Sequence, residues 1–130
     1  MADASAKRRP SILLLEDDIP LRDVVCANLS DTYEIETATN VEEALLLLGS
    51  RPYDILLCDQ MLPGKKQGLD FLMEAQLRQP EAKRILVTGY MNPELLTRSV
   101  KLAGLTACLM KPVFIPDLRQ TLSTALGRVS

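Results

Sequence analysis

The chain predicts an α/β domain built on a parallel sheet with helices on both faces. Short apolar runs alternate with helical patterns of about 10 residues, the rhythm that successive βαβ units require. Four of the runs end on polar residues. Ile12-Leu13-Leu14-Leu15 ends on Glu16-Asp17-Asp18, Ile55-Leu56-Leu57-Cys58 on Asp59, Ile85-Leu86-Val87 on Thr88, and Leu109-Met110 on Lys111-Pro112. If these runs are parallel strands, their carboxyl ends share one edge and the four polar stations meet in one crevice.

The elements follow in order. Strand one spans Ile12 to Glu16, and a helix begins near Pro20 with Leu21, Val24, Val25 and Leu29 at helical spacing. Strand two, Tyr33 to Ala38, alternates: Glu34 and Glu36 oppose Tyr33, Ile35 and Thr37, the pattern of an edge. Asn40 is an N-cap with Glu43 three residues on. Val41, Ala44, Leu45 and Leu48 form the inward stripe of helix two, which Gly49 terminates. Strand three spans Ile55 to Asp59, and the Pro, Gly and Lys residues from Met61 to Gly68 make a surface loop. Helix three directs Leu69, Leu72, Met73 and Leu77 inward and closes at Pro80.

Strand four covers Arg84 to Thr88. Asn92-Pro93 caps and opens helix four, which runs to Gly104. Its Leu95, Leu96 and Val100 supply core contacts or, spread over more than one face, a docking patch. The last strand, Ala107 to Met110, leads into a helix whose Ile115, Leu118, Leu122, Ala125 and Leu126 face the sheet. An edge position for strand two fits the flavodoxin-like order 2-1-3-4-5, an order known for doubly wound sheets rather than deduced from these residues. Right-handed crossovers then place helices one and five on one face and helices two, three and four on the other.

A chain of 130 residues, 47% of them hydrophobic, is the size of one domain with its own core. Residues 1–10 read as a flexible, basic N-terminal tail and 11–128 as the folded domain. A net charge of -2 and scattered Lys and Arg residues speak against direct nucleic-acid or anionic-membrane binding. Cys26, Cys58 and Cys108 fall in apolar segments with no CxxC spacing, and the chain has no histidine to complete a zinc site. Reduced, buried thiols in a cytoplasmic protein are expected. No apolar stretch approaches the roughly 20 residues that span a bilayer.

Carboxylates gathered at ~4 Å repel by roughly 4 kcal/mol at an effective dielectric of about 20. Oxygen ligands without histidine or thiolate favour Mg²⁺ as the counter-ion, with Lys111 as a second positive charge. The same cations suit a phosphoryl group, whose charge lies on its equatorial oxygens. Asp59 is then the nucleophile, because an ionised carboxylate needs no general base. Thr88 would donate to one phosphoryl oxygen and Lys111 bind another. Pro112 restricts Lys111 to extended geometry, and a cis bond between them would aim the ammonium tightly.

These residues resemble, in type, order and spacing, the receiver domains of bacterial two-component response regulators, from Ile12 to Leu126. The resemblance implies that Glu16, Asp17, Asp59 and the Met61 carbonyl hold Mg²⁺, with Asp18 in reserve should the strand register shift by one. Asp59 becomes the phospho-acceptor. The phosphoryl group would come from a sensor histidine kinase or phosphotransfer protein and be lost slowly to water. A downstream effector would read the switch on helix four, strand five and helix five, with phosphorylation-dependent homodimerisation as a further option. The run Arg84 to Tyr90 is also similar to a receiver subgroup that precedes cyclic-dinucleotide phosphodiesterase domains.

The chain departs from the family in two places. Cys108 stands three residues before the lysine, where an aromatic switch residue is usual, so Tyr90 is a candidate to carry the signal instead. The loop after Pro63 reaches Gly68 one residue late and carries Lys65, Lys66 and Gln67.

Taken singly, an acidic triplet is a helix start, Thr-Gly a turn and Lys-Pro a strand exit; only the ordered set carries the functional reading. One alternative is a receiver-like interaction module that is never phosphorylated. Another, an aspartate-based phosphohydrolase, would want a second acid where Met61 stands.

Overall fold

The computed structural model describes residues 8–89 and 92–127, so Tyr90, the side chain of Leu95 and most of the expected tail lie outside the described residues. The elements alternate as β1 (Ser11–Leu15), α1 (Ile19–Leu29), β2 (Glu34–Ala38), α2 (Val41–Leu48) and β3 (Ile55–Asp59). They continue as α3 (Gly68–Arg78), β4 (Lys83–Thr88), α4 (Pro93–Ala103), β5 (Ala107–Met110) and α5 (Ile115–Ala125). All strand pairs are parallel, and the order is β2-β1-β3-β4-β5, the flavodoxin-like order expected, with β2 at an edge.

Alternation along the inner strands divides the apolar residues between two cores. Leu13, Leu15, Leu56, Cys58 and Leu86 point to the face covered by Val41, Ala44 and Leu48 of α2, Phe71, Leu72 and Ala75 of α3, and Ala103 of α4. Ile12, Leu14, Ile55, Leu57, Ile85 and Val87 point to the other, against Val25 and Leu29 of α1 and Leu118 and Leu122 of α5. The central strands are apolar on both faces because both faces are covered.

Two helical stripes differ from the expectation. Leu77 is 81% exposed rather than inward, because Phe71 and Ala75, both fully buried, set the rotation of α3. A stripe through 69, 72, 73 and 77 and one through 68, 71, 72 and 75 satisfy the same period, and the larger apolar area of Phe71 decides between them. On α1, Val24 is 49% exposed while Val25 and Leu29 are buried. The thiols differ too: Cys58 is buried, whereas Cys26 on α1 and Cys108 on the edge strand β5 are only half-buried.

The helix ends show why the elements stop where they do. Asn40 Oδ1 accepts the Glu43 N–H at 2.8 Å, while the Glu43 carboxylate reaches back to the Thr39 N–H at 2.7 Å. Gly49 ends α2 at φ -78, with no need of left-handed backbone, whereas Gly104 ends α4 at φ +58. That end is gripped by Arg84, a buried guanidinium. Its Nε donates to the Ala103 carbonyl at 2.8 Å and its Nη1 to those of Ala82 at 2.8 Å and Pro80 at 3.2 Å. Arg84 thereby satisfies carbonyls that the helix end and the α3–β4 turn leave open.

Candidate functional site at the carboxyl edge

Parallel pairing brings the four stations together. Leu15 lies opposite Cys58, Asp59 opposite Val87, and Thr88 opposite Met110, so residues at the strand ends become lateral neighbours. Glu16 follows β1, held extended by its N–H to the Ala38 carbonyl at 3.0 Å. Asp59 ends β3, Thr88 ends β4 and Lys111 follows β5 with its N–H on the Thr88 carbonyl at 2.8 Å. The Lys111-Pro112 bond is cis.

Glu16, Asp17 and Asp59 each present a carboxylate oxygen within 4.8 Å of the others. The Lys111 ammonium stands 3.2 Å from Asp59 Oδ2 and 3.5 Å from Glu16 Oε1. Glu16, Asp59 and Thr88 are buried, whereas Asp17 is exposed. Burial first, and the Asp59 charge second, push the Glu16 carboxyl up to about 7. Burial pulls Lys111 down, but the hydrogen bond and charge of Asp59, together with the charge of Glu16, outweigh it and hold the ammonium above its ordinary value. Three acids against one ammonium leave the ionised crevice with surplus negative charge. A hard divalent cation fits this all-oxygen donor set.

Asp18 is placed elsewhere. It is the N-cap of α1, its Oδ1 accepting the Leu21 N–H at 3.1 Å, while its own N–H donates to Glu16 Oε2 at 3.2 Å. The Met61 side chain is 71% exposed, which leaves only its main chain for any role in the crevice. Cys108 packs half-buried against the core beneath α2, α3 and α4, and burial raises its thiol pKa. Tyr90 is outside the described residues.

Sequence reasoning missed the residues that hold Asp59 from behind. A Cβ on Gly68 would lie 2.1 Å from the Asp59 carbonyl oxygen, so α3 starts against the backbone of β3 only because residue 68 has no side chain. Gln60 Oε1 accepts the Leu69 N–H at 2.9 Å, and the Gly68 N–H donates to the Gln60 carbonyl at 3.0 Å. Gln67, three residues before Asp70, braces the loop and carried a legible signal, the spacing of a capping box.

A doubly wound parallel sheet with an acidic cluster and a lysine at its carboxyl edge defines a receiver-type signalling domain. The response regulator receiver domain family matches residues 12–123, and the chain belongs to it. Over 110 residues the chain is 32% identical to the hydrogenase transcriptional regulatory protein HoxA of Cupriavidus necator, covering 85% of this chain and 22% of that regulator. Among solved structures it is similar to a CheY-like receiver domain protein from Methanospirillum hungatei. That match has a TM-score of 0.85 and 31% identity, over 92% of this chain and 94% of the other. It is also similar to the signal receiver domain of an HD domain-containing protein from Pseudomonas fluorescens, with a TM-score of 0.86 and 29% identity, over 92% and 96%. The chain spans less than a third of the curated relatives it matches.

Proposed function

We propose that residues 11–128 form a phospho-acceptor switch of a two-component system in the cytoplasm. Asp59 takes a phosphoryl group from a phosphohistidine on a sensor kinase or phosphotransfer protein. A carboxylate oxygen of Asp59 attacks phosphorus, the P–N bond breaks, and its electron pair returns to the imidazole. Water later attacks the same phosphorus, releasing inorganic phosphate and restoring the carboxylate.

The 3.2 Å approach of Lys111 to Asp59, inside a cluster of three carboxylates, carries this reading. Lys111 binds one phosphoryl oxygen and Thr88 donates its hydroxyl to another. Glu16, Asp17, Asp59 and the Met61 carbonyl would hold Mg²⁺, which when bound supplies the positive charge that offsets the acids and the incoming phosphoryl group.

Phosphorylation then shifts a two-state equilibrium in the loops that carry Thr88 and Lys111, and so alters the face formed by α4, β5 and α5. Leu96, Val100, Met110 and Phe114 are exposed there, a surface suited to an effector domain or a second copy of the chain. HoxA is a transcriptional regulator by name, which makes a transcriptional effector one natural output. The second matched structure belongs to an HD domain-containing protein, so an output of that kind is equally open to this fold.

Incubation with Mg²⁺ and acetyl phosphate, read by intact mass, tests the proposal. The wild type should gain one phosphoryl group and Asp59→Asn none. Rapid turnover of the donor would mark a hydrolase instead, and no mass gain in either protein would mark a bare interaction module.

A further inference from the structure

Met61 stands between two pinned neighbours in the loop from β3 to α3. On one side Gln60 is fixed to the sheet, its N–H donating to the Val87 carbonyl at 2.8 Å and its carbonyl accepting the Gly68 N–H at 3.0 Å. On the other side Leu62 is held by one side chain. Gln67 Oε1 accepts the Leu62 N–H at 2.8 Å, and Gln67 Nε2 donates to the carbonyls of Leu62 at 3.1 Å and Gly64 at 3.2 Å. Gln67 is itself rooted: its N–H donates to Asp70 Oδ2 at 2.8 Å, its carbonyl accepts the Phe71 N–H at 3.2 Å, and the next residue, Gly68, lies against the Asp59 carbonyl. The clamp is thereby referred to the strand end that carries Asp59.

The bond to the Leu62 N–H sets a direction. That N–H and the Met61 carbonyl belong to one peptide group, which is trans, since Lys111-Pro112 is the only cis peptide bond among the described residues. In a planar trans peptide the N–H and C=O point opposite ways, so a Leu62 N–H fixed on Gln67 turns the Met61 carbonyl away from Gln67. Burial of the Leu62 side chain holds the same peptide from its other flank. Only a carboxamide offers an acceptor for the N–H and a donor for the carbonyls at once; a carboxylate or an ammonium offers one of the two.

We propose that Gln67 is a positioning residue of the cation site, the side chain that sets the Met61 carbonyl for Mg²⁺ beside Glu16, Asp17 and Asp59. The inference rests on the Mg²⁺ reading under Proposed function. A carbonyl oriented in advance needs no ordering when the cation binds, and outer groups that orient ligands commonly change metal affinity by about 10–100-fold.

Mg²⁺ titration of the chain, followed by amide and carbonyl chemical shifts, tests this beside urea unfolding without Mg²⁺. In the wild type the Met61 carbonyl carbon and the Leu62 amide nitrogen should shift together with Asp59, and the Leu62 amide should be protected from hydrogen exchange before any Mg²⁺ is added. Gln67→Met, which keeps the chain length of the side chain and removes both bonding functions, should weaken Mg²⁺ by roughly tenfold. Asp70→Ala, which loosens the start of α3 and leaves the Gln67 side chain in place, should lower the urea midpoint with Mg²⁺ affinity unchanged. Equal weakening by the two variants, a Gln67→Met protein that binds Mg²⁺ as the wild type does, or a wild-type Leu62 amide that exchanges freely until Mg²⁺ arrives would overturn the proposal. A wild type with no shift near Asp59 would overturn the Mg²⁺ reading and the proposal together.

Discussion

Gly68 shows how little room the strand that ends on Asp59 leaves around itself. With a Cβ only 2.1 Å from the Asp59 carbonyl oxygen, Gly68→Ala must push either β3 or α3 out of place. Overpacking of this kind costs about 1–3 kcal/mol, a fall of several degrees in the thermal midpoint. A scanning calorimetry trace unchanged from wild type would show that the backbones do not meet there.

Tyr53 offers a second single-residue test. It is buried, and its hydroxyl donates to Glu36 Oε1 at 2.6 Å while Arg51 lies over its ring. Burial and then the Glu36 contact raise its pKa above the ordinary phenol value. The unfolded chain therefore loses this proton first as pH rises through about 10, binding fewer protons than the native state, and stability falls. Urea unfolding from about pH 9 to about pH 11 should show a shallower decline for Tyr53→Phe than for wild type.

The helix α1 separates two roles that the acidic triplet leaves merged in sequence. Glu16 and Asp17 turn towards Asp59, while Asp18 caps the helix. Asp18→Ala should therefore cost about 1 kcal/mol by chemical denaturation yet keep the mass gain with acetyl phosphate. Loss of phosphoryl uptake with unchanged stability would reverse that assignment. At the opposite end of the sheet, Gln79 ties α2 and α3 to β3. Its Nε2 donates to the carbonyls of Leu48 at 2.9 Å and Arg51 at 2.8 Å, and its Oε1 accepts the Tyr53 N–H at 2.9 Å. Such side-chain ties, with the Arg84 grip on α4, brace the end of the domain away from the crevice.

Two cores, one on each face of the sheet, make the whole molecule a sandwich in which a helix contributes only through the stripe it buries. Phe71→Ala should cost about 3–5 kcal/mol, while Leu77→Ala on the same helix should stay within about 0.5 kcal/mol. Comparable losses in urea midpoints for the two would mean that α3 is rotated from the position described. The strand ends behave differently from the helices. Every polar station at the carboxyl edge was legible, because a residue that ends an apolar run has only one edge of a parallel sheet to reach. The rotation of α3, the exposure of Val24 and the capping role of Asp18 were not. In each case two arrangements satisfy the same local spacing.

The sequence by itself determined the alternation of strands and helices, the edge character of β2 and the residue types that close β1, β3, β4 and β5. Those properties depend on periodicity over a few neighbours, and a period of two or 3.6 is written in the chain. Only the tertiary structure decided that Gly68 lies on the Asp59 backbone, that Arg84 grips the end of α4, and that Leu77 looks outward beside Lys65 and Lys66. Such contacts depend on which strands pair, in what register, and on which side chain fills the core first. Packing between distant segments settles those choices, and local spacing does not encode them.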